Sequence, residues 1–424
     1  MWQLYNWIVI PILKAAFSFL GLFNPKVQKG IKGRADVLDR SRSHYSLIPK
    51  TRRRVLVHVA SFGELEQAKP VMQALRDQYP DLHIHLTFFS PSGYDNTIGK
   101  YTIPDIITYL PFDDLKTVQE FIALVEPALA LITRYDVWPN FIKALKEKGA
   151  GILLFCATFG ESSKRNALFS KGFNREVYSL IDRIVTISEK DRQAFLKLGL
   201  LQQNVITAGD TRFDQVLLRK ENKNIPKEVA LLKDQLLNKE VFVAGSTWPK
   251  DEEVLEQGIA TFLAHPNRVA VIAPHEVSDE HLKQLKERFS KYSIIILSSI
   301  DKYHDEQIIL VDSIGKLFSL YALADIAYVG GGFSAGVHNV LEASVWNVPV
   351  IVGPHHRRSS EITALINKRG AFEITDAKKF DATLHRLITN NEERRHAGKV
   401  GEAYVVENSG ATNRLLAEAA SLLH

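Results

Sequence analysis

The chain has 424 residues, 46% of them hydrophobic and 24% charged, which excludes a disordered or collagen-like protein and leaves length for two domains of about 200 residues. Fifty-three Lys and Arg against 48 Asp and Glu give a net charge of +5, so an anionic partner is expected; nucleic acid, a membrane surface and a phosphorylated substrate are all compatible. The single cysteine, Cys156, sits in the apolar run GILLFCATF and can form no disulfide within the chain, which suits a reducing compartment and a small core residue.

The N-terminal stretch WQLYNWIVIPILKAAFSFLGLF carries one charge, Lys14, over about 22 residues, close to the length that crosses a bilayer core. It lacks the basic start and small-residue cleavage pattern of a secretory signal. Lys14 near the middle would cost about 3 kcal/mol on insertion, and Pro11 kinks the helix. Gln3, Asn6, Lys14 and Ser18 share one sector of roughly 120°, which favours a membrane-associated helix over residues 1–24 that lies in the interface, although Trp7, Ile10 and Phe17 share that sector. Next come Lys26, Lys29, Lys32, Arg34, Arg40, Arg42, Lys50, Arg52, Arg53 and Arg54, against only Asp36 and Asp39. Near an anionic leaflet each cation is worth about 1 kcal/mol and would keep the bulk of the chain cytoplasmic. A solvated charge run, or a buried helix followed by a basic linker, is the alternative.

From residue 54 onward, short apolar runs alternate with amphipathic stretches, the pattern of βα units on a parallel sheet. RVLVHVA, LHIHLTFF, ALALIT, GILLFCAT and RIVTIS read as strands, with ELEQAKPVMQALRDQ, LKTVQEFIALV, WPNFIKALKEKG and KDRQAFLKLG as helices between them. His83 and His85 alternate along one strand, and at least one of them is expected to face solvent. The pattern lapses over LLRKENKNIPKEVALLKDQLLNKE, read as an interdomain connection. A second set follows: VFVAGST, NRVAVIAP, YSIIILSS, QIILVD, IAYVGG and VPVIVG as strands, and DEEVLEQGIATFLA, EHLKQLKERFSKY, IGKLFSLYALA and VHNVLEASVW as helices. Two Rossmann-like α/β domains are therefore expected, over 25–217 and 218–424, facing across a cleft at their strand ends.

The densest chemical signal is AYVGGGFSAGVHNVLEASVWNVPVIVGPHH at 327–356. A strand ends in Gly330, Gly331 and Gly332, and a helix is expected to begin near His338 or Asn339. Backbone amides of such a loop and helix start bind phosphate without a metal, and Glu342, one turn on, could accept both hydroxyls of a ribose. The spacing fits neither a dinucleotide fingerprint nor a P-loop, and a Gly-rich turn is as often a packing device. Ser246 and Thr247, Pro274 and His275, and Ile314, Gly315 and Lys316 stand at other strand ends of the same half; each is equally a cap or core feature when taken singly. No Asp-x-Asp pair stands at a strand end and no His/Cys cluster has metal spacing, so neither metal nor cofactor is expected. In the first half, HVASFGELEQAKP puts Ser61 and Gly63 in a turn and Glu64 in the first turn of a helix. Glu64 is either a capping charge favoured by the helix dipole or a general base aimed at an acceptor hydroxyl.

At this point the chain resembles the 3-deoxy-D-manno-octulosonic acid (Kdo) transferases of lipopolysaccharide assembly, glycosyltransferases of the GT-B fold. HVASFGE resembles the family's Ala-Ser-Xaa-Gly-Glu, SPSGYD its Thr-Pro-Thr-Gly, YLPFD its Tyr-Leu-Pro-Tyr-Asp and YDVWPN its Glu-Leu-Trp-Pro-Asn; AGDTRFD resembles Gly-Asn-Leu-Lys-Phe-Asp, and GVHNVLEA resembles Gly-Gly-His-Asn-Pro-Leu-Glu. The ordered series covers nearly the whole chain. The resemblance implies an inverting, metal-independent transferase acting at the cytoplasmic face of the bacterial inner membrane. The donor would be CMP-Kdo and the acceptor the lipid A precursor, with no nucleic-acid partner. It makes Glu64 the catalytic base, with Asp136 and Arg212 beside it and Ser61 and Gly63 at the acceptor. It assigns the donor to Ser246, Thr247, Pro274, His275, Ile314 to Lys316, Gly331, Gly332, His338, Asn339, Val340, Leu341 and Glu342. The chain departs from the family pattern at Arg134, where the first acid of Glu-Thr-Glu is usual, and at Arg212, which stands for a Lys. His275 replaces or displaces the Arg of Pro-Arg-His, and Val340 replaces a Pro. The rival readings are a GT-B transferase or epimerase using a UDP-sugar, and a non-catalytic protein binding anionic lipid.

Overall fold

Continuous apolar runs without alternation make strands covered on both faces, and that is how these runs are used. The computed structural model describes residues 1–159, 168–222, 225–334, 336–356 and 359–423. The chain forms two compact units, Met1–Gln215 with Asn408–His424, and Val216–Glu407.

The first unit holds β1 (Arg54–Val59), β2 (His83–Phe88), β3 (Ile106–Tyr109), β4 (Leu129–Thr133), β5 (Gly151–Ala157), β6 (Arg183–Thr186) and β7 (Val205–Thr207). All pairs are parallel, in the order β3-β2-β1-β4-β5-β6-β7. The strand order reverses between β1 and β4, and a doubly wound sheet opens its crevice beyond the carboxyl ends at such a point. Glu64 follows β1, and Arg134 and Asp136 follow β4. The single cysteine is buried in β5, as expected of a small core residue.

The second unit holds β8 (Glu240–Thr247), β9 (Arg268–Pro274), β10 (Ile294–Ile296), β11 (Ile308–Leu310), β12 (Ile326–Val329), β13 (Val350–Val352) and β14 (Ala371–Glu373). These too are parallel, in the order β10-β11-β9-β8-β12-β13-β14. The reversal here falls between β8 and β12, so Ser246 and Thr247 on one side and Gly330 to Gly332 on the other meet at its carboxyl end.

Three expectations change. The segment read as an interdomain connection is largely helical, Thr211–Glu221 and Lys227–Gln235, and the boundary between units falls inside the first of these helices. The last helix, Ala411–Leu422, lies with the first unit rather than in a continuous 218–424 domain. Asp214 ties it down, accepting the backbone N–H of Gly410 and both the N–H and hydroxyl of Thr412, while Arg183 pairs with Glu418 at 2.8 Å. His83 and His85 are both fully buried, because the helix Val37–Tyr45 covers that face of β2. His83 Nε2 lies 2.8 Å from His44 Nε2, and His85 bridges Tyr45 and Thr108.

The N-terminal helix runs Trp2–Phe23, with a widened turn over Tyr5–Val9 just before Pro11, whose ring cannot join the regular hydrogen-bond ladder. It lies along the first unit for its whole length. Trp2 donates to Glu176 at 2.6 Å, Tyr5 to Asp113 at 2.8 Å, and Asn140 to Asn6 at 2.6 Å; Lys14 pairs with Asp114 at 2.9 Å, and Phe17 packs on Phe89 and Phe112. Asn6 and Lys14, grouped by the sequence reading in one sector of an interfacial helix, are thus turned to the protein. The outward face is apolar: Leu4, Trp7, Ile8, Ile12, Phe19, Leu20, Leu22 and Phe23 are exposed. The basic segment is mostly structural as well. Arg34 donates to the carbonyls of Gly30, Phe89 and Leu110, and Lys29, Arg42, Arg52 and Arg54 are all ion-paired.

Candidate active site

In the first unit, Ser61 caps the helix Phe62–Gln78 through its carbonyl, with no side-chain bond. A methyl group placed on Gly63 would meet its nearest neighbouring atom only at 3.9 Å, so nothing in the chain demands glycine there and the backbone is open to approach. Glu64 makes the capping contact that its place in the helix's first turn allows. It is only 5% exposed, and Oε2 accepts the N–H of Ala60 at 2.5 Å, a capping-box bond displaced by one residue. Burial raises its pKa, Ala60's amide opposes this, the nearby Asp136 charge adds to it, and His58 and Arg134 oppose it. A carboxylate raised in this way is a better proton acceptor near neutrality than an exposed one.

Asp136 is held by His58, whose Nε2 lies 2.8 Å from Oδ2, while Nδ1 of the same buried ring lies 2.9 Å from the Thr87 hydroxyl. Arg212 is drawn onto Asp210, with Nε at 2.9 Å and Nη2 at 2.8 Å from Oδ2. Burial pushes Asp210 up, yet the Arg212 charge, its hydrogen bonds and that of Gln67 hold it below the usual carboxylate range. Glu64, Asp136 and Arg212 therefore gather at one edge of one sheet. His58, Gln67 and Asp210 also belong to this group but escaped the sequence reading, since a histidine inside an apolar strand looks like core and a helical Gln like surface.

In the second unit the Gly-rich loop is occupied from within. Asp251, fully buried in the first turn of the helix Pro249–Leu263, accepts the N–H groups of Trp248 (2.9 Å), Gly331 (2.8 Å) and Phe333 (3.3 Å) and the Tyr328 hydroxyl (2.7 Å). The amides of Ser334, Gly336, Val337 and His338 bond to other carbonyls. Phosphate capture by this loop's amides, expected from the sequence, is thus largely pre-empted by a carboxylate of the chain itself. The helix beyond is also short, Leu341–Ser344, and starts later than expected, with Asn339 Oδ1 accepting the Leu341 N–H. Gly331 has φ of 92°, and a side chain on Gly332 would strike the backbone of Gly353, so glycine is required at both places.

The remaining residues divide clearly. Thr247 spends its hydroxyl on Glu252 at 2.8 Å, facing inward. Ser246 holds φ of 52° inside β8, where the register with β9 shifts between Gly245 and Thr247. Val340 and Leu341 are buried core residues. Trp248, His275 and His338 form a ring stack beyond β8, β9 and β12, with centroids 4.8 Å apart for Trp248 and His275 and 4.3 Å for the two histidines. Trp248 Nε1 donates to His338 Nε2 at 3.0 Å, and burial, helped by His275, pushes His338 down to about 4, so its ring is neutral. Pro274 ends β9 at this stack. Glu342 pairs with Arg219 at 2.7 Å, and Lys316 with Glu228 at 2.8 Å. Ile314 is exposed, and Gly315, with φ of 91°, lines a 460 Å³ cavity with Arg219, Phe318 and Trp346. Among the described residues no group of three or more His, Cys, Asp or Glu is placed to hold a metal ion.

Two doubly wound parallel sheets, each with polar residues gathered where its strand order reverses, define an α/β protein of the GT-B type. Solved structures with this fold include a putative UDP-N-acetylglucosamine 2-epimerase from Listeria monocytogenes (15% identity, TM-score 0.62, 88% of this chain and 96% of that one) and the UDP-GlcNAc 2-epimerase of Neisseria meningitidis (14%, 0.61, 87% and 99%). At such identities the likeness concerns fold alone.

Sequence narrows the class. Residues 37–215, which lie within the first unit, match the family described as 3-deoxy-D-manno-octulosonic-acid transferase (kdotransferase). The chain is 28% identical to the 3-deoxy-D-manno-octulosonic acid transferase of Haemophilus influenzae over 85% of both chains. It is 27% identical to that of Chlamydophila psittaci over 84% of this chain and 82% of the relative.

Proposed function

We propose that the protein transfers Kdo from CMP-Kdo to a hydroxyl of the lipid A precursor, with inversion and without a metal. The observation that carries this reading is Glu64: it lies in the family motif, at the reversal point of its sheet, with burial raising its proton affinity. In the reaction, Glu64 removes the proton of the acceptor's primary hydroxyl as that oxygen bonds to the anomeric carbon of Kdo. The bond from that carbon to the cytidylate oxygen breaks, and CMP departs with the electron pair. Arg212, fixed by Asp210, is a cation suited to the negative charge that develops on the phosphate. Neutral His275 and His338, stacked with Trp248, offer an aromatic platform of the kind on which a pyrimidine ring packs. The lipid acceptor and an anionic membrane surface give a purpose to the outward apolar face of the N-terminal helix, and the proposal includes action at the cytoplasmic face of the inner membrane.

The donor assignment is tested by melting temperature. CMP should raise it measurably and UDP should not, whereas stabilisation by UDP alone would overturn the choice of donor.

A further inference from the structure

Two charged residues that follow strands of the first sheet, Arg134 after β4 and Asp210 after β7, are joined physically. Arg134 Nε donates to Gln67 Oε1 at 2.7 Å, and Gln67 Nε2 donates to Asp210 Oδ1 at 3.0 Å. Gln67 and Asp210 are buried, so a fixed amide links the cation to the anion. The anion does not neutralise the cation directly, because Asp210 is already bonded to Arg212. Arg134 is therefore held by its Nε edge alone. Among the described residues, no hydrogen-bond or ion-pair partner meets its Nη1 or Nη2, and the side chain is half-buried. It follows β4, which pairs with β1, and its partner Gln67 lies three residues along the helix from Glu64. A guanidinium fixed on one side with its planar fork open on the other suits a two-oxygen anion.

We infer that Arg134 is a specificity-determining residue of this chain, taking an oxyanion of the bound ligand, phosphate or carboxylate, next to the base. The placement beside a base rests on the transferase reading above; the binding of an oxyanion does not require turnover and is measured without it.

Full-length protein in detergent is titrated calorimetrically with three probes: glucosamine disaccharide bisphosphate, the same disaccharide without phosphates, and free Kdo. At least one anionic probe should bind, and Arg134→Gln should weaken it about tenfold or more, with Arg134→Lys recovering part of the loss. A loss confined to the bisphosphate identifies the acceptor's phosphate as the source; a loss confined to Kdo identifies the sugar's carboxylate. Should Arg134→Gln fail to fold, phenylglyoxal labelling of Arg134 in the unaltered protein replaces it, and the anionic probe should slow that labelling. Binding unchanged within about twofold in Arg134→Gln, labelling unaffected by either anion, or no binding of either anionic probe overturns the inference. Binding that depends on Arg134 in a protein that makes no product from CMP-Kdo would instead overturn the transferase reading and leave the anion site standing.

Discussion

At the scale of single residues, Glu64 has opposite effects on stability and on chemistry. Its folded pKa is raised, so ionising it costs more in the folded chain than in the unfolded one. The stability it contributes is complete below its unfolded value and is lost as pH rises through the folded value. Glu64→Gln should therefore melt higher than the unaltered protein near pH 8 and lose that advantage near pH 4; thermal unfolding at the two pH values checks it. The acid limb of the rate should correspondingly fall at a pH above the ordinary carboxylate range, because only the ionised form accepts a proton. Asp251 makes a different prediction. Its removal leaves three amides and a hydroxyl without their buried acceptor, so Asp251→Ala should cost about 3 kcal/mol in urea unfolding. The contrast also explains what could be read in advance. Glu64 stood out because its turn, cap position and motif are contiguous, whereas the partners of Asp251 lie some 80 residues away, at Tyr328, Gly331 and Phe333. The Gly-rich loop was recognised, but its occupant was not, since an acid at the start of a helix is an ordinary cap.

At the scale of elements, the interior strands and one edge strand, β10, were legible and the other three edges were not. The eleven apolar runs read as strands all appear, while β3, β7 and β14 went unread; each is an edge strand of three or four residues. An edge strand needs no long apolar run, because one side of its ladder is unpaired. The N-terminal helix was legible in existence and length, but the face it turns to the protein was not, because its inward bonds depend on Asp113, Asp114 and Asn140, each over 95 residues away. That orientation makes its own prediction. Trp7 is 80% exposed on the outward face, so its emission should shift to the blue, and the protein should float with vesicles containing anionic lipid. Flotation that survives deletion of residues 1–23, or none with the helix present, would contradict the proposed membrane role of this helix.

At the scale of the molecule, two doubly wound sheets of seven strands each carry their polar groups where the strand order reverses. The alternation of strands and helices foretold two such sheets, but chain connectivity was not readable. The return of Ala411–Leu422 to the first unit depends on Asp214 and Arg183, which no local pattern connects to the C-terminus. The family match to residues 37–215 spans the turn after β1 that carries Glu64, and most of the chain is similar to Kdo transferases. The most direct measurement is the mass of the product formed from CMP-Kdo and tetraacylated lipid A precursor by the unaltered protein and by Glu64→Gln. The account predicts that the unaltered protein adds one or more Kdo units, and that Glu64→Gln does so about 10²-fold more slowly or worse with its CMP affinity nearly unchanged. Undiminished turnover by Glu64→Gln, or no Kdo added by the unaltered protein, would contradict it.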